Sequence, residues 1–204
     1  VTHPNRAHIT VGVLALQGAF DAHVQYLRAV GVNAQEIRQQ HELDGVDALV
    51  LPGGESGTMW QLLQSSGLFQ PIASRLAGGM PAFGTCAGMI LLASSVLDGR
   101  TGQAGFGAIN IAVRRNAFGR QVDSFESEIH TEHGTFHGVF IRAPRIENVG
   151  EGVEVLGSLH HDGPTPYDEP VLVQQGRILA ASFHPELTGD HSLHEYFVSS
   201  VISA

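Results

Sequence analysis

The sequence predicts an α/β protein, a doubly wound three-layer α/β/α arrangement around a mostly parallel sheet. Three observations carry this. Through the first half of the chain, short β-branched and apolar runs alternate with segments whose apolar residues recur at helical spacing. The runs are continuously apolar rather than alternating, as expected of strands covered on both faces. The chain has 204 residues, 43% of them hydrophobic, the size of one ordinary domain with a sizeable core.

Each element has its own signal. "HITVGVLALQG" is a buried first strand that stops at Gly18. "FDAHVQYLRAVG" is a helix, with Phe20, Val24, Leu27 and Val30 close to helical spacing and Gly31 as its stop. "NAQEIRQ" is a short second strand, and "GVDALVLPGG" a buried third ending in a glycine turn. "SGTMWQLLQSSGLFQPIASRLAGG" supplies one or two helices, "MPAFGT" a strand and "AGMILLASSV" a helix. After Gly99 come shorter strands with turns, within "GFGAINIAVRRNAFGRQVDSFESEIH", "TFHGVFIRAP", "VEVLGSL" and "PVLVQQGRILAASFHPE". "HHDGPTPYDEP", residues 160–170, reads as an exposed loop between strands, and "GDHSLHEYFVSSVIS" as a closing amphipathic helix. No linker divides the chain, so 1–204 is expected to be a single domain, with residues 1–8 a loose extension.

Composition narrows the function. The net charge is −9, and all eleven basic residues are arginine. An acidic chain without a basic run is poorly suited to nucleic acid or an anionic membrane surface. No apolar stretch reaches the roughly 18 residues of a membrane span. The start has no secretory apolar core, and a single cysteine makes no internal disulfide. The simplest reading is a cytoplasmic protein.

That cysteine, Cys86, stands in "GTCAG", with glycine two positions to either side. This is the nucleophile-elbow pattern with Cys in place of Ser. A nucleophile on a sharp strand-to-helix turn needs small neighbours, because the backbone there is strained. The helix N-terminus it opens favours a thiolate. The competing reading is a small buried hydrophobe, the usual fate of a lone cysteine. A second feature is "SFHPE". Pro185 disfavours the helical region for His184, so His184 should be extended, with Glu186 on the same side. Glu186 can then orient His184 while His184 faces the thiol, the nucleophile, base and orienter of acyl transfer. A third is "LPGGESG", residues 51–57, where glycines after a buried strand can turn N–H groups toward a developing oxyanion. It is not a P-loop, since the Gly-Lys-[Ser/Thr] ending is missing.

Taken together, these segments resemble the class I, triad-type glutamine amidotransferases. Within them the chain is similar to the PdxT/SNO family, the glutaminase subunits of pyridoxal 5′-phosphate (PLP) synthases. The matching stretches are "GVLALQGAF", "LPGGES", "GTCAGMILLA", "RNAFGRQVDSFE", "GVFIRAP" and "SFHPELTGD", from about Ile9 to Phe197. The resemblance implies a flavodoxin-like fold and hydrolysis of L-glutamine to glutamate and ammonia through a thioester on Cys86. His184 is the implied base and Glu186 its orienter. Backbone N–H groups of Gly54 and Ala87 are the implied oxyanion donors. Gly54, Glu55, Ser56, Arg115, Ile141 and Arg142 are the implied glutamine contacts. The implied partner is a (β/α)₈-barrel synthase subunit of the PdxS/SNZ family, which receives the ammonia and without which the glutaminase is weak. No cofactor is implied on this chain; PLP is the product of the complex. The chemistry agrees: arginine matches a carboxylate bidentately, and Glu55 balances an ammonium. Without the resemblance, Arg115 and Arg142 read as surface residues, Glu55 as a helix N-terminal acid and Ile141 as strand core.

Two departures stand out. The family usually reads Pro-Gly-Gly-Glu-Ser-Thr, whereas here Gly57 follows Ser56 and Thr58 comes one later, which is expected to loosen the loop. The 160–170 segment is longer than the family needs and is expected to form a rim near the site or a partner surface. Two other readings compete: a glutaminase serving another synthase (histidine, purine, pyrimidine or anthranilate), and a non-catalytic regulatory module on the same scaffold. His130, Glu132, His133, His137, His160, His161, Asp162, His191 and His194 invite a metal reading, but they fall on expected turns or an exposed helix, so they read as surface residues and no metal is expected.

Overall fold

In the computed structural model, which describes residues 6–115, 124–162 and 164–203, the first half alternates as the apolar runs predict. It comprises β1 (Thr10–Leu14), α1 (Phe20–Ala29), β2 (Asn33–Ile37), β3 (Ala48–Leu51), α2 (Ser56–Ser65), α3 (Phe69–Ala77), β4 (Ala82–Thr85) and α4 (Ala87–Leu92). The second half comprises β5 (Ala93–Val96), β6 (Ile109–Arg114), β7 (Phe125–Thr131), β8 (Gly134–Phe140), β9 (Arg145–Val149), β10 (Glu154–His161), β11 (Tyr167–Gln175), β12 (Ile178–Ala181) and α5 (Ser192–Tyr196). A π-helical stretch, Phe197–Ile202, continues α5.

The main sheet has seven strands in the order β10-β11-β12-β4-β3-β1-β2. From β12 to β2 all neighbours are parallel, and β10 and β11 add an antiparallel hairpin at one edge. The period of two along each strand sorts the core into halves. Val11, Val13, Val50, Phe83 and Leu179 face α1 and α5, among Leu27, Leu193 and Phe197. Leu14, Leu49, Leu51, Ala82 and Ala180 face α2, α3 and α4, among Met59, Leu63, Ile72 and Met89. Both faces are covered, which is why these strands read as unbroken apolar runs. Truncating a fully buried ring such as Phe83 to alanine would cost about 3–5 kcal/mol. A three-stranded sheet, β5-β6-β9, and a two-stranded one, β7-β8, flank this frame. The small β7-β8 sheet is stitched to the frame by one antiparallel bridge between Val139 and His184.

The structure corrects four expectations. The helix expected over "AGMILLASSV" ends at Leu92, and Ala93–Val96 becomes β5, parallel to β6. Strand pairing, with Ser94 Oγ donating to Ile111 O at 2.9 Å, overrides a helix-like apolar spacing. Strand β9, "RIENV", was not foreseen; its polar residues hide it, although it pairs with β6. The segment 160–170 is not one loop: His160 pairs with Asp168 and His161 with Tyr167 in the β10-β11 hairpin. Glu169 within it is only 3% exposed, against His161 Nε2 (2.7 Å) and Arg145 Nε (3.3 Å). The fourth correction is His194, which is not at the surface but fully buried. Of the first eight residues, 1–5 lie outside the described ones, and Arg6 donates to Glu195 at 2.7 Å. Among the described residues no helix is long and apolar enough to cross a membrane.

Candidate active site

Four parallel strands, β1, β3, β4 and β12, deliver their carboxyl ends to one place, where ligands bind in open α/β sheets. Cys86 follows β4 directly and caps α4 with φ 49° and ψ −105°, a left-handed backbone on a non-glycine residue. Such a conformation costs about 1–3 kcal/mol and persists only where its surroundings fix it. Here the Cys86 N–H donates to Ala181 O at 2.8 Å, tying the elbow to β12. The flanking glycines allow the close approach. A Cβ on Gly84 would lie 2.6 Å from Gly88 C, and one on Gly88 2.7 Å from Leu51 C and closer still to its oxygen. Both obstacles are backbone, so they cannot yield. Gly88→Ala is therefore expected to lose about 2–3 kcal/mol, read as a lower urea midpoint.

His184 lies three residues beyond β12 and its N–H donates to Val139 O at 2.8 Å. Its Nδ1 is 2.8 Å from Glu186 Oε1, and the residue lines the same cavity as Cys86. The sequence argument put His184 and Glu186 on one face of an extended segment. Instead the chain turns: Pro185–Leu187 is a single 3₁₀ turn that folds Glu186 back under the ring. The Glu186 side chain is fully buried. Burial pushes its carboxyl up, but the neighbouring rings of His23 and His184 and the hydrogen bond from His184 hold it below the ordinary carboxylate range. Burial likewise acts to lower the His184 pKa, yet hydrogen bonds and negative charge from Cys86 and Glu186 outweigh it and raise it from 6.5 to about 10. The imidazolium is thus the resting form at neutral pH. A proton held more tightly in the folded than the unfolded chain stabilises the fold fully below 6.5, and that contribution is lost as pH rises to about 10. The urea midpoint is expected to fall across that window in the wild type and to fall less in His184→Gln.

The sulfur and imidazole open into a pocket of about 430 Å³, lined also by Gln17, Gly54, Glu55, Ser56, Ile90, Arg100, Arg115, Ile141 and Arg142. Every side chain implied to contact glutamine is therefore brought to one cavity. Ala87 lies beneath it as the first residue of α4, 1% exposed. Glu55 caps α2: its Oε1 accepts from Gly57 N (3.1 Å) and its Oε2 from Thr58 N (2.7 Å) and Thr58 Oγ1 (2.6 Å). Burial acts to raise its carboxyl pKa, but these donors and Arg100 bring it below the usual value. Glu55 thus both caps α2 and lines the cavity. Arg115 reaches Glu55 Oε1 at 3.3 Å and Gln103 Oε1 at 3.1 Å, and Gln103 in turn donates to Ser56 Oγ at 3.4 Å. Gly57 does not leave the loop untied, since Thr58 takes up the carboxylate of Glu55 and Arg100 lies against Gly57, 3.7 Å from Glu55 Oε2. Arg142 adopts φ 46°, a second strained residue at the rim. In a chain of net charge −9, three arginines among the described residues converge on this cavity, so it favours an anionic group.

Sequence reasoning missed Gln17, Ile90 and Arg100. Gln17 carried a readable signal: it is the first polar residue after β1, and its Oε1 accepts from Glu55 N at 3.0 Å. Arg100 carried none, being one arginine in a polar turn between strands. The described residues of 160–170 do not line the cavity. Residues 116–123, most of "RNAFGRQVD", lie outside the described ones. Among the described residues no three His, Cys, Asp or Glu side chains converge on a common metal position.

Comparison with known proteins adds to this geometry. The family model described as "SNO glutamine amidotransferase family" matches residues 13–203. A "Pyridoxal 5'-phosphate synthase subunit PdxT" of Salinispora arenicola is 53% identical over 95% of this chain and 97% of its own length. One of the same description from Rhodococcus jostii is 51% identical over 94% and 96%. A solved structure titled "Crystal structure of glutamine amidotransferase" is 46% identical, with a TM-score of 0.85 over 95% of this chain and 99% of that one. The "Structure of PurLQS from Thermotoga maritima", at 14% identity and a TM-score of 0.70 over 96% and 98%, shares the fold.

Proposed function

The chain belongs to the SNO glutamine amidotransferase family, and from that premise we propose that it is the glutaminase subunit of a pyridoxal 5′-phosphate synthase, working as follows. The Cys86 thiolate attacks the side-chain amide carbon of L-glutamine. Backbone N–H groups of Gly54 and Ala87 hold the oxyanion, a contribution of about 3–4 kcal/mol per well-aimed donor. The His184 imidazolium gives its proton to the leaving nitrogen, ammonia departs, and a thioester remains on Cys86. Water then attacks the thioester, His184 takes the water's proton, and glutamate leaves. Glu186 keeps the ring aligned throughout. The α-carboxylate of glutamine is met by the arginines of the pocket wall, Arg115 and Arg142, and its ammonium by Glu55, with Ser56 and Ile141 completing the contact. Nucleophile, proton carrier and oxyanion donors all come from the chain, and we propose no cofactor for this step.

One observation carries the reading: a thiol, an imidazole and the buried carboxylate bonded to it come together at a cationic, amino-acid-sized cavity. A regulatory module has no need of that set, or of a strained cysteine within it. We propose that the ammonia passes to a (β/α)₈-barrel synthase subunit and that docking there activates the glutaminase. The test mixes the chain with its synthase subunit, a pentose phosphate, a triose phosphate and glutamine. Glutamate and PLP should appear together, and the chain alone should release glutamate more slowly. Absence of glutamate from the mixture would refute the assignment, and glutamate without PLP would assign the chain to a different synthase.

A further inference from the structure

Behind Glu186 lies a pair of imidazoles that the mechanism above does not use. His23 on α1 and His194 on α5 are both fully buried. His23 Nδ1 is 2.8 Å from His194 Nε2. Its Nε2 is 3.2 Å from Oγ1 of Thr85, the residue before the nucleophile, and 3.4 Å from Glu186 Oε2. Glu186 Oε1 is taken by His184, while Oε2 is buried with no conventional hydrogen bond, so the ring nitrogen of His23 is the group that faces it. Phe83 packs edge-on to both rings, at 6.3 and 5.7 Å, and Tyr26 edge-on to His194 at 5.1 Å, which closes the site to water.

The tautomers follow from this geometry. Burial, the largest influence, keeps both rings neutral, with Glu186 opposing it at His23 and the neighbouring rings His184 (toward His23) and His191 (toward His194) reinforcing it. A neutral ring has one N–H. Placed on His23 Nε2, it points at the Glu186 anion and Thr85, and His23 Nδ1 accepts from His194 Nε2–H. Only a bare lone pair is then left at His194 Nδ1, the atom that has no partner. The opposite choice sets a lone pair against the anion and buries an N–H without an acceptor, an arrangement disfavoured on both counts.

We propose that His23 is a positioning residue for the Cys86–His184–Glu186 line, with His194 fixing its tautomer: it holds Glu186 as the anion, in the orientation that keeps the His184 ring on the sulfur. This deepens the glutaminase reading and rests on it for its catalytic meaning. The groups facing His23 are Glu186 and His184 from the turn after β12, Thr85 from β4, and His194 from α5, with His191 and Tyr26 at the far side of His194.

The test follows alkylation of Cys86 by iodoacetamide against pH in the full chain, without glutamine, so a failed glutaminase assay leaves it interpretable. His23→Phe removes the donor. Its alkylation inflection is expected about one pH unit higher than in the wild type, with the neutral-pH rate about tenfold lower. His23→Gln restores an N–H donor and should stay within about twofold of wild type. A His23→Phe inflection at the wild-type pH, or equal losses in the Phe and Gln variants, would overturn the proposal. Should His23→Phe fail to fold, the ring nitrogen shifts of the wild-type protein decide. They should report Nε2–H on His23 and an unprotonated Nδ1 on His194 across about pH 6–8. A protonated His23 Nδ1 would overturn the assignment.

Discussion

Cys86→Ala, assayed in the assembled synthase, is expected to lower kcat for glutamine hydrolysis by about 10⁴-fold or more, since no other group on the chain can form the thioester. Among the described residues the alternatives are absent by geometry. The carboxylate of Glu186 is buried behind His184, and Glu55 is occupied as the cap of α2. The substitution leaves the pocket wall intact, so glutamine should still bind. Removing the sulfur also removes the negative partner that helps raise the His184 pKa, so the ring should titrate at lower pH in the variant. The decisive control is ammonia. The proposed partner reaction needs ammonia and not glutamine, so an ammonium salt should restore PLP formation in the complex while glutamine does not. Glutamate release at the wild-type rate would remove the thiol from the mechanism.

Gly53→Ala is the second large effect, and it arises from space rather than from chemistry. A Cβ at this position would lie 2.8 Å from His184 Nδ1 and closer still to Cε1. The ring cannot retreat freely: Nδ1 is bonded to Glu186, and its backbone N–H is bonded to Val139. Either the ring turns away from the sulfur or the loop carrying Gly54 moves. A displacement of about 1 Å at this site costs about 10²-fold in kcat. The fold should survive, because the colliding atoms belong to a side chain lining the pocket and not to the sheet. Circular dichroism should remain that of the wild type while glutamate release collapses. Unchanged kcat would mean that the imidazole has more freedom than its two anchors allow.

Most of the frame was legible because the sheet is covered on both faces. Apolar runs such as "DALVL" and "MPAF" admit one reading when helical segments lie between them. Legibility fell where tertiary pairing decides. "ASSV" has nothing against a helix until β6 lies beside it, and "RIENV" gains its strand from β6 as well. The site divides in the same way. Cys86 and its glycines announce themselves because a strained turn restricts the residues around it, and the proline after His184 marks the base. The reason given for the His184–Glu186 contact was nonetheless wrong in detail, since a 3₁₀ turn and not an extended face brings them together. Arg100 and His194 gave no signal, because an arginine in a turn and a histidine in an amphipathic helix both look like surface.

The pairing of β4 with β12 sets Thr85 opposite Ala181, one residue before the thiol and three before the imidazole. Sliding either strand by one residue would carry Phe83 or Leu179 from the α1 side of the sheet to the α2 side, against the sorting of the entire interior. The separation between sulfur and ring is thus proofread by the folding of the whole domain: a molecule that has threaded this pair wrongly cannot bury its core, so misassembled copies are discarded as unfolded chains and do not persist as faulty catalysts.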